Sequence, residues 1–184
     1  FSLLLISLYE INNDKSSLEK SIEIMKEAWD IFYNKEHNLL QKNVLNNNDL
    51  FVNPIDFGDN NIPNGNSIYL FVCNKLRNVT NDDYWAQKIE TLSKTFNMYI
   101  GYNFSQMFSY LKILDICDEN ITISFHGKTD ENFKKEILKK FMGNASIIYK
   151  ESSEQSFVVI CKNKICSEKL NNSNQINEYI RNKL

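Results

Sequence analysis

A short loop in the first half of the chain carries the polar side chains best placed to bind a ligand. Its polar members of interest are Asp59, Asn64, Asn66 and Ser67. The apolar run 68–72 follows at once, so the loop is expected to lead straight into a helix that starts near Asn64. A proline and a glycine within the loop suit a first turn and a close backbone approach. Short polar side chains at such a point either cap the helix or face a ligand.

A carbohydrate is one ligand class that this loop could serve. Sugar hydroxyls pair with amides and carboxylates, and a sugar ring also needs an aromatic surface on which to stack. Tyr69 or Trp85 could supply that surface. The alternative is structural, with Asp59 and Asn66 holding the loop and capping the helix. The residues alone leave both interpretations open.

Hydrolysis or epimerisation of a sugar would need further groups. A glycosidase requires two carboxylates on either side of the scissile bond. Asp56 and Asp59 form one conceivable pair, and Asp49 is another option. Epimerisation requires a proton-transferring base, often a histidine, and the chain offers His37 and His126. Neither histidine lies in a convincing site by its sequence context, so we expect surface or structural roles for both.

The cysteines suggest a second, unrelated chemistry. Cys161 and Cys166 flank a tight turn, so their side chains could meet as a redox pair. Their spacing differs from that of a thioredoxin site, and no helix follows Cys161 to lower the pKa of its thiol. Simple packing is therefore the alternative for the pair. Cys73 and Cys117 lie in apolar segments and are expected to be buried.

Composition excludes several classes of function. The net charge is −2 and hydrophobic residues make up 42% of the chain, which gives no basic field for a nucleic acid. The cysteine spacings match no zinc pattern, so we expect no metal and no cofactor. The apolar opening 1–11 is too short to span a bilayer, and it resembles a buried helix entered midway. We therefore expect a cytoplasmic protein, no membrane partner, and a chain that is a fragment truncated at its N-terminus.

Two regions with different patterns follow from the periodicity. Residues 1–116 are predicted to form helices joined by mostly short loops, with an irregular hairpin between 36 and 57. The second helix is expected to begin with a cap at Ser16 or Ser17, with Glu19 completing a capping box. Residues 117–184 alternate strands and helices, with strands at 121–125, 145–149 and 156–161. The strand–helix–strand passage predicts a parallel pair with a right-handed crossover.

The order of these segments resembles the spermatogenesis-associated, thioredoxin-like protein family. The matching pieces are the apolar helix 1–9, the helix exit 29–38, the Asp-x-x-x-Pro-x-Gly-Asn-Ser loop 59–67, the helix start 83–85, and the tail with Cys161 and Cys166. The chain departs from the family pattern at 37–41, where the family has a glycine- and aromatic-rich hairpin, and at 126–127, where it tends to have Gly-Asp.

The resemblance implies a fold, a function and partners. Members look like a thioredoxin-type domain followed by a six-hairpin α/α toroid, similar to N-acylglucosamine 2-epimerases and several glycoside hydrolases. The expected fold is thus mainly α, a partial toroid over 1–116 with a small α/β unit over 117–184. The implied function is carbohydrate-related binding or catalysis, with Asp59, Asn64, Asn66, Ser67 and Trp85 around the cavity. The alternative is a non-catalytic scaffold for a thioredoxin-like domain of the same protein, which would lie in the missing N-terminal part.

Overall fold

The computed structural model describes residues 1–43, 55, 58–141, 143–152 and 156–183. Asp49 and Asp56 lie outside the described residues. The chain divides into two compact units. Unit 1 comprises Phe1–Tyr9 and Asp14–Asp115, and unit 2 comprises Glu10–Asn13 and Ile116–Leu184.

Helices and one small hairpin make up the first part of the chain. In chain order the elements are α1 (Ser2–Asn12), α2 (Lys15–Phe32), β1 (Tyr33–Asn34), β2 (Leu39–Leu40), α3 (Gly65–Thr80), α4 (Asp83–Asn103), a short 3-10 helix (Phe104–Gln106) and α5 (Phe108–Glu119). The two-residue strands β1 and β2 pair antiparallel, with Tyr33 opposite Leu40. This hairpin directly follows α2 and ends before the loop that leads to α3.

Side-chain caps set where several of these helices begin. Asp14 caps α2, because its carboxylate accepts hydrogen bonds from the Ser16 backbone N–H at 3.0 Å and from the Ser17 hydroxyl at 2.6 Å. Those bonds, from Ser17 first and then Ser16, lower the pKa of Asp14. The predicted cap at Ser16 or Ser17 is therefore wrong by two to three positions, since both serines lie inside the first turn and donate to the true cap.

Large apolar side chains fill the core of unit 1. Trp85, Leu92 and Phe96 of α4 are fully buried, and Phe96 stacks on Tyr110 of α5 with ring centroids 4.4 Å apart. Leu70 and Leu76 of α3 are fully buried as well. The helical spacing of these residues places them on one face of each helix. This explains why the spacing of apolar residues in the sequence predicted the helices.

A four-stranded sheet organises unit 2. The elements are β3 (Ile121–His126), α6 (Glu131–Phe141), β4 (Ala145–Lys150), β5 (Phe157–Lys162), β6 (Ile165–Cys166) and α7 (Ser173–Lys183). The strand order is β4-β3-β5-β6. Strand β3 pairs parallel with β4 and antiparallel with β5, so the sheet is mixed. The predicted parallel pair across a helical crossover is confirmed.

The sheet and its two helices enclose one apolar core. Ile123, Val158 and Ile160 are fully buried in the strands, while Ile137 of α6 and Ile176 of α7 are almost so. The edge of β4 is covered by the last turn of α1, where the Glu10 carboxylate accepts a hydrogen bond from the Ile147 backbone N–H at 3.2 Å. Covering an edge strand in this way removes unpaired backbone groups from water.

The expected fold class is wrong. The described residues form seven α-helices, a four-stranded mixed sheet and a two-stranded sheet, and they do not form a partial α/α toroid. Amphipathic helices with short connections predict that neighbours pack together, but the same pattern serves a toroid and an ordinary helical bundle. Closure around a hollow depends on contacts between residues far apart in sequence, and local periodicity does not encode them. No helix in the described ranges is long and apolar enough to cross a membrane.

Candidate functional site

The start of α3 is built by the side chain of Asn64. Asn64 is the N-cap, with extended backbone angles, and its Oδ1 accepts hydrogen bonds from the backbone N–H groups of Asn66 at 2.8 Å and Ser67 at 3.3 Å. These donors would otherwise be unsatisfied at a helix end. The helix therefore begins where the sequence predicted, and the Asn64 carbonyl oxygen is occupied by the helix itself.

Asn66 ties α3 to the β1–β2 hairpin. Its Oδ1 accepts from the Leu40 backbone N–H at 2.7 Å, and its Nδ2 donates to the Leu40 carbonyl at 2.8 Å. The side-chain amide thus pairs with Leu40 as a neighbouring strand would. Asn66 is only 4% exposed, so these bonds form away from competing water.

Asp59 links the loop to the start of α5. Its Oδ1 accepts from the Asn64 backbone N–H at 2.8 Å, and its Oδ2 accepts from the Ser109 backbone N–H at 2.6 Å. Its own N–H donates to the carbonyl of Gln106. A carboxylate at a helix N-terminus is favoured both by the free N–H groups and by the helix dipole. Asp59 therefore holds two helix starts in fixed positions.

Ser67 lies in the first turn of α3 and is 1% exposed. Its Oγ has no hydrogen-bond partner among the described residues. A buried hydroxyl without a partner costs free energy, so this position is a weak point in an otherwise well-satisfied helix start.

A cavity of about 240 Å³ opens beside this helix start. The residues lining it are Phe32, Leu40, Gln41, Lys42, Asn64, Gly65 and Asn66. Three of these carry side-chain amides, two are apolar, and one is cationic. Gln41 is buried and is oriented by two bonds, since Asn34 donates to its Oε1 at 3.1 Å and its Nε2 donates to the Asn43 carbonyl at 2.8 Å.

The structure brings only part of the predicted site together. Asn64 and Asn66 line the cavity, whereas Asp59, Ser67 and Trp85 are absent from its described lining. Trp85 is 0% exposed within the core and meets Tyr84 edge-on at 4.9 Å. The Tyr69 hydroxyl donates to the Met25 carbonyl at 2.8 Å, and burial raises the pKa of Tyr69. The aromatic ring that does reach the cavity belongs to Phe32, at the end of α2.

A second arrangement in unit 1, a lysine held against aromatic rings, was not predicted from the sequence. The Lys88 Nζ lies 4.1 Å from the Trp29 ring centroid and 4.5 Å from the Tyr84 ring centroid, and Trp29 also stacks on Tyr33. Burial lowers the pKa of Lys88, while Asp30 opposes this shift. The spacing of Tyr84 and Lys88, four apart on α4, was a usable signal, because such residues lie on the same helix face.

The other candidate groups lie apart from the cavity. His37 lies in the exposed β1–β2 turn. His126, at the end of β3, stacks on Phe157 with ring centroids 4.4 Å apart. Burial, and then the charges of Lys150 and Lys169, lower the pKa of His126. A carboxylate pair of Asp56 and Asp59 cannot be placed, because Asp56 lies outside the described residues.

Cys161 and Cys166 form a disulfide across the β5–β6 turn. The two residues are directly opposite in the antiparallel register, and their Cα atoms are 4.0 Å apart. Cys166 is exposed and Cys161 is half-buried. The other two cysteines are free thiols, with Cys73 buried and Cys117 half-buried.

Within the described part of the chain, no group of three or more His, Cys, Asp or Glu residues could hold a metal ion. Searches against protein-family models and against curated proteins returned no match for this chain.

Proposed function

We propose that the chain binds a small polyhydroxyl ligand of the carbohydrate class in the cavity at the start of α3. The observation that carries this proposal is the convergence of three amide side chains and one aromatic ring on a single cavity. Amides both donate and accept hydrogen bonds, as sugar hydroxyls do. The ring of Phe32 offers an apolar surface to the C–H face of a sugar.

Binding, and no hydrolysis, is the activity that we propose. None of the described residues lining the cavity is an aspartate, glutamate or histidine, so this lining holds neither a carboxylate pair nor a proton-transferring base. The wall is also rigid, because Gln41, Asn64 and Asn66 are each held by hydrogen bonds to the backbone or to another side chain. A rigid wall loses little conformational entropy when a ligand binds.

Membership of the spermatogenesis-associated, thioredoxin-like family and a cytoplasmic location are parts of the same proposal. The family membership rests on the loop 59–67. The cytoplasmic location rests on the free thiols of Cys73 and Cys117, while the Cys161–Cys166 disulfide counts against it. The test of both is the upstream sequence of the same reading frame. A thioredoxin-type region with a Cys-x-x-Cys motif there supports them, and a secretory leader contradicts the cytoplasmic location.

The binding proposal is tested by ligand-observed NMR with glucose and N-acetylglucosamine as probes. We expect saturation transfer from the wild-type protein to at least one of these sugars. Gly65→Leu should abolish the transfer, because the new side chain would occupy the cavity. A Cβ at Gly65 meets no atom within 4 Å, so the helix start tolerates the substitution.

Gly101→Leu is the matched control. A Cβ at Gly101 also meets no atom within 4 Å, and Gly101 lies near the exposed end of α4, outside the cavity lining. This variant should bind like the wild type. Equal transfer to wild type and Gly65→Leu, or none to the wild type, would contradict the proposal.

A non-catalytic interaction module is the second candidate function. It is supported by a cluster in sequence of four exposed apolar residues, from the end of α4 to the start of α5. The cluster consists of Met98, Tyr102, Phe104 and Phe108, of which Tyr102 is 91% exposed. Clusters of this kind mark binding surfaces. A thioredoxin-like domain of the same protein is the partner that the family resemblance suggests, and Tyr102→Ser with Phe108→Ser should weaken its binding in a pull-down of the two purified parts.

A further inference from the structure

A second cavity, of about 420 Å³, lies in unit 2 between the exit of β6 and helix α7. Cys166 stands in its wall, with Leu170 and Tyr179 as apolar lining. Charged side chains of both signs complete it, namely Glu168, Lys169, Glu178 and Lys183. An exposed residue of a disulfide, Cys166, therefore lies beside a space that can hold a small charged molecule.

The β5–β6 turn keeps the two sulfurs adjacent even when the bond between them opens. The Ser167 backbone N–H donates to the Ile160 carbonyl at 2.8 Å, and the Ile160 N–H donates to the Ser167 hydroxyl at 3.1 Å. These bonds flank the Cys161–Cys166 pair and do not depend on it. Since the disulfide closes a short loop, with a separation of 5 residues, it constrains the unfolded chain less than a disulfide between distant segments would. The bond can therefore open at a smaller cost in stability.

We propose that the Cys161–Cys166 disulfide exchanges with a small zwitterionic peptide thiol of the glutathione class that binds in this cavity. The thiolate attacks Sγ of Cys166, the exposed sulfur, and a new S–S bond forms as the Cys161–Cys166 bond breaks. Cys161 leaves as a thiolate and takes up the proton that the incoming thiol lost. A second peptide thiol attacks the mixed disulfide, which releases the oxidised peptide and leaves two protein thiols. Two electrons pass from the two peptide thiols to the protein disulfide.

The charges of the lining select this class of thiol. A glutathione-class peptide carries two carboxylates and one ammonium group. Lys169 and Lys183 offer cations to the carboxylates, and Glu178 offers an anion to the ammonium group. The side-chain amide of Gln175, also in the lining, suits a peptide group. 2-Mercaptoethanol, which has neither carboxylates nor an ammonium group, would lack these contacts and be attracted only through the charge of its thiolate. The inference concerns unit 2 alone and does not depend on the ligand proposed for unit 1.

Mixed-disulfide formation on variants that keep one cysteine of the pair tests which sulfur reacts. In both variants Cys73 and Cys117 are replaced by alanine, so that one cysteine remains in the chain. The full chain carrying Cys161→Ser in this background is treated with oxidised glutathione and its intact mass is followed over time. We expect an adduct at Cys166 that forms faster than the adduct at Cys161 in the matched variant Cys166→Ser, by about tenfold, because only Cys166 lies exposed beside the cavity. Equal rates in the two variants would overturn the assignment of Cys166 as the attacked sulfur.

Charge reversal in the cavity tests the choice of thiol. Reduction of the oxidised wild type by reduced glutathione is compared with reduction by 2-mercaptoethanol, in the wild type and in Lys169→Glu with Lys183→Glu. We expect the double variant to react more slowly with glutathione, by about tenfold, and to lose much less of its rate with 2-mercaptoethanol, whose thiolate has no carboxylates for the lysines to bind. A disulfide that glutathione leaves intact, or a double variant whose two rates fall equally or not at all, would overturn the proposal.

Discussion

The loop before α3 in unit 1 and the β5–β6 turn in unit 2 use their polar groups in opposite ways. In the loop, Asp59, Asn64 and Asn66 direct their oxygens to backbone N–H groups and lie buried or half-buried. In the turn, Cys166 and the charged residues that follow it stay exposed. A polar side chain that is rich in hydrogen bonds can thus be structural, while one with few constraints is available for chemistry. By this measure Asp59, Asn64 and Asn66 all serve the structure of the loop.

The largest loss of stability is expected in the loop of unit 1, when the buried side-chain amide of Asn66 is removed. Asn66→Leu leaves the N–H and the carbonyl of Leu40 without their bonds, which should lower the free energy of unfolding of unit 1 by about 3 kcal/mol. Urea denaturation followed by tryptophan fluorescence measures it, since Trp29 and Trp85 both lie in unit 1. The exposed Asn61 in the same loop provides the control, because Asn61→Ala should change stability by less than about 0.5 kcal/mol. Equal effects of the two substitutions would show that Asn66 is not an anchor.

The second largest loss of stability is expected when the carboxylate of Asp59 is removed. Asp59→Ala removes the acceptor for the Asn64 and Ser109 N–H groups, and we expect a loss of about 2 kcal/mol in the same urea experiment. Asp59→Asn retains one acceptor oxygen but sets its amide N–H against the other backbone donor, so it should also destabilise unit 1 clearly. If Asp59→Asn instead keeps the stability of the wild type, the two-ended contact seen in the structure is not what holds the loop.

The aromatic contact of Lys88 should contribute less. Lys88→Met keeps the length of the side chain but removes its charge above Trp29 and Tyr84, which should cost about 1 kcal/mol. Lys94→Met on the same helix removes an exposed pair with Glu90 and should cost less than about 0.5 kcal/mol. A loss for Lys88→Met no greater than that for Lys94→Met would argue against a favourable contact with the rings.

The smallest expected effect concerns pH and lies in unit 2. The pKa of His126 lies below its ordinary value of 6.5 in the folded state, chiefly because of burial, so the unfolded chain binds the proton more readily. His126 therefore favours folding above pH 6.5, and this contribution falls as the pH drops from 6.5 towards the lowered pKa. Below the lowered pKa the contribution of His126 to stability is lost, and a further fall in pH does not change it.

His126→Gln should flatten this part of the stability profile, as measured by urea denaturation between pH 7.5 and about 5. A profile that rises as the pH falls through this window would have the opposite sign from the one expected.

Local signals predicted the elements well, and the long-range arrangement poorly. The start of α3 at Asn64 could be read from the sequence, because an N-cap depends only on the next three residues. The hydrogen bonds between Asn66 and Leu40 join residues 26 positions apart, and no local sequence pattern predicts them. The same limit explains why the predicted toroid is wrong, since the amphipathic pattern of a helix does not determine which distant helices it packs against. In unit 2 the parallel β3–β4 pair could be predicted, because a strand, a helix and a strand in succession allow few other ways of pairing the two strands.

The candidate site was predicted only in part for the same reason. Asn64 and Asn66 were found because both lie in one loop. Phe32 comes from the end of α2, and Leu40 and Gln41 come from the end of the β1–β2 hairpin, more than 20 positions earlier in the chain. Trp85 was proposed as a stacking surface from its type alone, and the structure places it in the core because α4 turns that face inward. Apolar residues on a regular helical stripe serve a core more often than they serve a ligand.

The most direct test of carbohydrate binding follows the backbone amide of Gly65 by protein-observed NMR as N-acetylglucosamine is added. Gly65 lines the cavity, whereas Gly101 lies outside the described lining and reports any non-specific change. We predict that the Gly65 signal shifts and saturates while the Gly101 signal stays in place. Two signals that stay fixed, or that drift together without saturation, would contradict the account.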